Sequence, residues 1–241
     1  MIAVLLFGVL AITVLVILRK LRNSGYWDST IVEIHEKPEL LCKSLEIFYK
    51  HHVGGYSQSA THAKEVKGLV PEGAKIIAIY YDNPKETRDE LCQSALGVVY
   101  SIDKRPLFDE NFATNLTRWG FERMTVPAVE RSVVCKQKFN GFFSYLHLVN
   151  HTYPAVNNFI DEQRVRCRLT VEVVANDELV VFCPLDHVNE FIVPEVISTD
   201  ELELKISSIR NSDSETDVSD EEEMSSIGGD VDDETSQDIE A

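Results

Sequence analysis

Few side chains in this sequence are spaced for chemistry, and Glu172 is the foremost of them. In Leu169-Thr170-Val171-Glu172-Val173-Val174 the apolar Leu169, Val171 and Val173 recur at every second position. A strand would gather those three on one face and leave Glu172 on the other with Thr170 and Val174. If the second face is solvated, Glu172 is one more surface acid; if it lines an apolar groove, the carboxylate becomes a cation ligand or a base. The period is compatible with both. No CxxC pair, glycine-rich phosphate loop or GxSxG elbow occurs, so no metal, no cofactor and no catalytic residues are expected. Ser212, Ser214 and Ser219 each precede an acid by three residues, a spacing favoured by acid-directed kinases, and phosphorylation there would deepen the local negative charge.

The elements that must position Glu172 follow from period and punctuation. Leu45–Tyr49 alternates as a strand, Ser57–Leu69 has helical spacing, and Lys75–Tyr81 is an apolar β-branched run closed by Asp82-Asn83-Pro84. Ser94–Tyr100 fits a further strand. Leu107–Trp119 reads as a helix ended by Gly120, Phe121–Val126 and Arg131–Lys138 as strands, and Phe142–Arg164 as a long helix kinked or restarted at Pro154. Leu169–Val174 and Leu179–Cys183 form a hairpin across Ala175-Asn176-Asp177. The alternation predicts an α+β domain over residues 31–195, built as a tandem β-α-β-β plan.

The two ends differ from this body. Ile2–Leu18 is a stretch of 17 residues without a charge, followed by Arg19, Lys20 and Arg22. A helix of that length spans about 26 Å, which predicts one transmembrane helix in an anchor over 1–22 and a linker at 23–30. Because the flanking bases follow the apolar run, the N-terminus is expected in the lumen and the body in the cytosol. The sequons at Asn115 and Asn150 would then never meet the glycosylation machinery. Five cysteines, an odd number, agree with a reducing compartment.

At the other end, residues 200–241 carry sixteen acids against Lys205 and Arg210, so this segment holds most of the net charge of −17. It contains no aromatic residue, and residues 196–241 are expected to be a disordered acidic tail. A nearly neutral body with an acidic tail makes direct binding to nucleic acid improbable.

The segments Ile77-Ala78-Ile79-Tyr80-Tyr81-Asp82-Asn83-Pro84, Phe182-Cys183-Pro184-Leu185 and Phe191-Ile192-Val193-Pro194-Glu195, with Cys92 and Gly97, carry a resemblance over about residues 1–195. The sequence resembles the testis-expressed protein 264 family of endoplasmic reticulum membrane proteins. That resemblance implies an N-terminal anchor and a cytosolic GyrI-like domain, a duplicated β-α-β-β module in which a carboxylate at the position of Glu172 lines a ligand groove. It further implies a receptor for selective autophagy of the reticulum, bound to Atg8-type ubiquitin-like proteins (LC3 and GABARAP), and an adaptor for the p97 unfoldase in repair of topoisomerase-DNA crosslinks at the nuclear envelope. Family receptors bind Atg8-type proteins through an aromatic-x-x-aliphatic motif in the tail. Here no Phe, Tyr or Trp follows Phe191, and the nearest substitute is Met224-Ser225-Ser226-Ile227 after three glutamates. Phe182 to Leu185 has the spacing but falls at a strand end, where burial would hide it.

Overall fold

A computed structural model describes residues 2–219, with the side chains of residues 3–5, 60 and 210–219 outside the description. The chain divides into two compact units, the first ending at Val196 and the second beginning at Ile197.

The first unit opens with helix α1 (Ile2–Asn23), then strands β1 (Val32–Glu36) and β2 (Leu45–Val53), helix α2 (Ser59–Leu69) and strands β3 (Ile76–Tyr80), β4 (Gln93–Ile102) and β5 (Arg105–Pro106). Helix α3 (Glu110–Arg118) and strands β6 (Glu122–Val126) and β7 (Arg131–Lys138) follow. Helices α4 (Phe142–His147) and α5 (Tyr153–Gln163) lead into β8 (Thr170–Ala175) and β9 (Glu178–Pro184). Among the described residues the strands make one nine-stranded antiparallel sheet in the order β1-β7-β9-β8-β3-β4-β2-β6, with β5 paired to β4.

The tandem plan is visible in that order. β2-α2-β3-β4 lies in the sheet as β3-β4-β2, and β7-α4-α5-β8-β9 lies as β8-β9-β7. The two copies meet where β3 pairs with β8, Ala78 opposite Glu172 and Tyr80 opposite Thr170. On one face of the sheet Val171 and Val173 pack with Tyr49, Ile77, Ile79 and Phe182. The opposite face packs against α2 and α3 in the first copy, through Phe48, Val98 and Leu116, and against α5 in the second, through Cys135, Val156 and Val181.

Two local features hold the sheet in this form. A Cβ on Gly97 would lie 1.8 Å from the carbonyl oxygen of Phe48, so β2 and β4 approach only because this position has no side chain. Asn176 and Asp177 both adopt positive φ, which closes the β8–β9 hairpin with a two-residue turn of the twist that antiparallel strands prefer.

Two expectations are corrected and one is refined. Among the described residues no helix is long and apolar enough to cross a membrane. Arg19, Lys20 and Arg22 occupy the end of α1, so its uncharged part, residues 2–18, is about 26 Å long against a hydrocarbon core of about 30 Å. The long helix does restart beside Pro154, as expected, but the break begins earlier. The helix ends at His147, passes through a π turn over Leu148–Thr152 and restarts as α5, whose second residue is Pro154. Proline has no N–H for the preceding turn, and widening that turn absorbs the loss.

The second correction concerns the acidic segment. The second unit contains helix α6 (Thr199–Ser219), where disorder was expected. Asp200 and Glu201 stand in its first turn, where the helix dipole favours acids, and the Lys205 ammonium lies 3.5 Å from Glu201 one turn away. The rest of the acidic segment lies outside the described residues.

Candidate functional site

Glu172 is buried, 8% exposed, on the face of β8 that turns away from Val171 and Val173. Of the two sequence readings the solvated face is excluded. Two phenols close over the carboxylate. Tyr153 Oη, from the first turn of α5, donates to Oε1, and Tyr80 Oη, from the end of β3, donates to Oε2 at 3.3 Å. The β3–β8 register explains Tyr80, which sits opposite Thr170 and so reaches Glu172 diagonally along the same face. The restart of the helix places Tyr153 where its ring descends onto the sheet.

The surroundings tighten this group. The Tyr56 ring packs edge-on to Tyr80 with centroids 4.7 Å apart, and its hydroxyl donates to the Gln93 carbonyl at 3.0 Å while accepting the Asp82 N–H at 2.9 Å. Thr170 Oγ1 lies 3.9 Å from Cys183 Sγ on the next strand.

Burial pushes the Glu172 carboxyl above the usual range, and the Tyr153 and Tyr80 hydrogen bonds pull it part of the way back. Both phenols are driven well above 10 by burial and by the facing carboxylate, so they remain protonated donors. The arrangement can hold a carboxylate or carboxylic acid in a low-dielectric setting. It can favour a cation that displaces one phenol. Neither phenol is poised as a nucleophile, since both hydroxyls stay protonated far above neutral pH.

Two histidine pairs lie elsewhere in the first unit. His52 on β2 stacks on His62 of α2 with centroids 4.0 Å apart, and burial lowers the His52 pKa to about 4. His62 Nδ1 is 3.8 Å from Glu65 Oε2, too far for a hydrogen bond, and with His51 Nε2 it is buried without one. His147 and His151 have the i,i+4 spacing of a helical ligand pair, a signal present in the sequence. Their rings are 5.1 Å apart against Tyr26, but His147 Nδ1 contacts the Tyr26 carbonyl at 2.9 Å and Nε2 contacts Thr30 Oγ1 at 3.2 Å, so both its nitrogens are engaged. Among the described residues no group of three His, Cys, Asp or Glu side chains could hold a metal.

The other sequence-stated positions are separate from Glu172. Ser212, Ser214 and Ser219 fall on the α6 backbone. Met224 and Ile227 lie outside the described residues. Phe182 is 1% exposed within β9, which removes Phe182 to Leu185 as a surface motif. Tyr80 and Tyr153 were missed by sequence reading. The Tyr80 signal was present, as a polar-tipped residue closing an apolar strand; that of Tyr153 was concealed in a helical run.

Fold and site together define an α+β protein of two β-α-β-β copies joined edge to edge, with a phenol-clamped carboxylate beside the join. No family model matches the chain. It is 25% identical over 189 residues to the mouse testis-expressed protein 264 homolog, covering 78% of this chain and 60% of that protein. It is 25% identical over 198 residues to human testis-expressed protein 264, covering 81% and 62%. The chain is thus a relative of the testis-expressed protein 264 family, and it spans about three fifths of the length of the curated relatives it matches.

Among solved structures, it is similar to an EcmrR-DNA complex (13% identity, TM-score 0.41, 71% of this chain and 64% of that one). It is also similar to a hydrolase from Listeria innocua (8% identity, TM-score 0.37, 65% and 91%).

Proposed function

We propose that this protein is a non-enzymatic receptor and adaptor acting at the endoplasmic reticulum, with its α+β body in the cytosol, like the selective-autophagy receptors and p97 adaptors that the family resemblance implies. The observation that carries this reading is the likeness to testis-expressed protein 264 over about four fifths of the chain. The closed state of Glu172 supports it, because a carboxylate with an oxygen on each of two phenols is not poised as a free base. Atg8-type binding by this chain rests on Met224 and Ile227 without an aromatic anchor, and loss of such an anchor commonly costs about 2 kcal/mol or more. The p97 role is therefore the stronger half of the proposal. Proximity labelling from the full-length protein, with and without starvation, tests it. Reticulum proteins together with p97 are the expected neighbours, and a neighbour set lacking both would overturn it.

The clamp favours a second reading, a small-molecule binding module for apolar cations. Displacing one phenol would leave the Glu172 charge to the ligand in a dry setting. Lipophilic cations titrated into the wild type and into Glu172→Gln should then bind the wild type at least tenfold more tightly, and equal affinities would remove Glu172 from any such site.

A further inference from the structure

The segment after α5 is extended, and its burial alternates. Val165, Cys167 and Leu169 are half-buried or buried, while Arg166 and Arg168 are exposed. Residues two apart on extended chain point the same way, so the two guanidinium groups project together. They form one wall of a 320 Å³ surface depression whose opposite wall is Leu185, Asp186, His187, Val188, Asn189 and Glu190.

Among the described residues, the carboxylates of this depression have hydrogen-bond partners and its guanidinium groups have none. Asp186 is occupied, since Oδ1 accepts the Glu130 N–H at 3.1 Å and Oδ2 the Arg131 N–H at 2.8 Å. Glu190 is held by His187 Nδ1 at 2.8 Å. Neither Arg166 nor Arg168 makes a hydrogen bond or an ion pair among the described residues. Two guanidinium forks thus stand free beside the half-exposed, aliphatic Leu185 and Val188. Guanidinium forks match carboxylate and phosphate oxygens two at a time. A nucleic acid is a poor occupant, because two arginines beside Asp186 and Glu190 make a short cationic spot and not a basic track along which a long polyanion could lie.

We propose that this depression docks a short acidic peptide segment of a partner protein, with Arg166 and Arg168 gripping its carboxylate or phosphate groups and Leu185 and Val188 receiving a neighbouring aliphatic side chain. The site is distinct from Glu172, so it stands or falls apart from the cation reading. It gives an adaptor a second, charge-selective contact.

Fluorescence anisotropy of the full-length protein tests this with two labelled nonapeptides, one carrying paired phosphoserines followed by leucine and the other carrying paired aspartates followed by leucine. Binding should weaken about tenfold or more in the double variant Arg166→Ala with Arg168→Ala, as expected on losing charge-assisted hydrogen bonds. It should stay within about twofold in Lys64→Ala with Lys67→Ala, which removes the same charge from the exposed face of α2. Preference for the phosphopeptide assigns the oxyanion as phosphate, and equal binding assigns it as carboxylate. Absence of binding to both peptides, equal losses in the two double variants, or tighter binding of a single-stranded oligonucleotide than of either peptide would each overturn the proposal.

Discussion

Glu172 is held between opposing effects, burial that raises its pKa and two phenol donors that lower it, with burial the larger. A carboxyl whose folded pKa exceeds its unfolded value of about 4.5 stabilises the fold fully only below that value. The contribution is lost as pH rises from 4.5 through the raised folded pKa, and stays lost above it. Glu172→Gln removes this dependence while its amide oxygen can still accept from one tyrosine. The variant is therefore expected to melt at or above the wild-type temperature at pH 8 and to lose that advantage at pH 4. Thermal melts at the two values check this, and an advantage for the wild type that grows with pH would show that the phenols outweigh burial. Tyr153→Phe should act oppositely, costing about 1–3 kcal/mol at pH 8 because a buried carboxylate loses a donor.

At the scale of elements, the β-α-β-β copies were legible because each signal was local. Alternation marked β2 and β8, short apolar runs marked β3 and β9, Asn176-Asp177 marked the hairpin, and Gly120 ended α3. What failed was set by distance or by competing preferences. The Tyr80–Glu172 contact joins residues 92 apart, and no local period encodes the register of β3 on β8. β1 is only five residues long, and its alternation is weak. α6 formed despite its acidity because Glu201–Lys205 pairing and acids in the first turn favour helix. Gly97 is the element-scale position most exposed to test. A methyl group there would meet the Phe48 backbone, which cannot swing aside as a side chain would. Gly97→Ala should separate β2 from β4 and cost about 3 kcal/mol or more, read as a lower denaturant midpoint, and an unchanged midpoint would mean that the strands shift without penalty.

On the scale of the first unit, α1 is not joined to the body by a loose tether. Residues 23–30 read in the sequence as a linker, yet Ser24 and Gly25 are buried. Ser144 Oγ donates to the Ser24 carbonyl at 3.0 Å, and Asn140 Nδ2 donates to the Asn23 carbonyl at 3.3 Å. The Lys138 ammonium lies 2.9 Å from Asp28, and the His147 ring meets the Tyr26 carbonyl. Gly25 takes φ +73° with Lys138 against it, a position where a side chain would be both strained and crowded. These contacts fix the direction in which α1 leaves the sheet, and α1 presents exposed Leu6, Phe7, Leu10 and Leu15 along its length. The Ser144 hydroxyl is the centre of the joint, since it also accepts the Asn140 N–H at 3.2 Å and is itself fully buried. Ser144→Ala leaves the Ser24 carbonyl and the Asn140 amide without that partner, at about 1–3 kcal/mol. The amides of Gly25, Tyr26 and Asp28 each donate to backbone carbonyls within the turn, so they report on whether it is closed. Hydrogen exchange at these three amides should quicken at least fivefold in Ser144→Ala, while the β3 and β4 amides keep wild-type rates. Equal rates in variant and wild type would mean that Lys138, Asn140 and His147 hold the stem without the Ser144 hydroxyl.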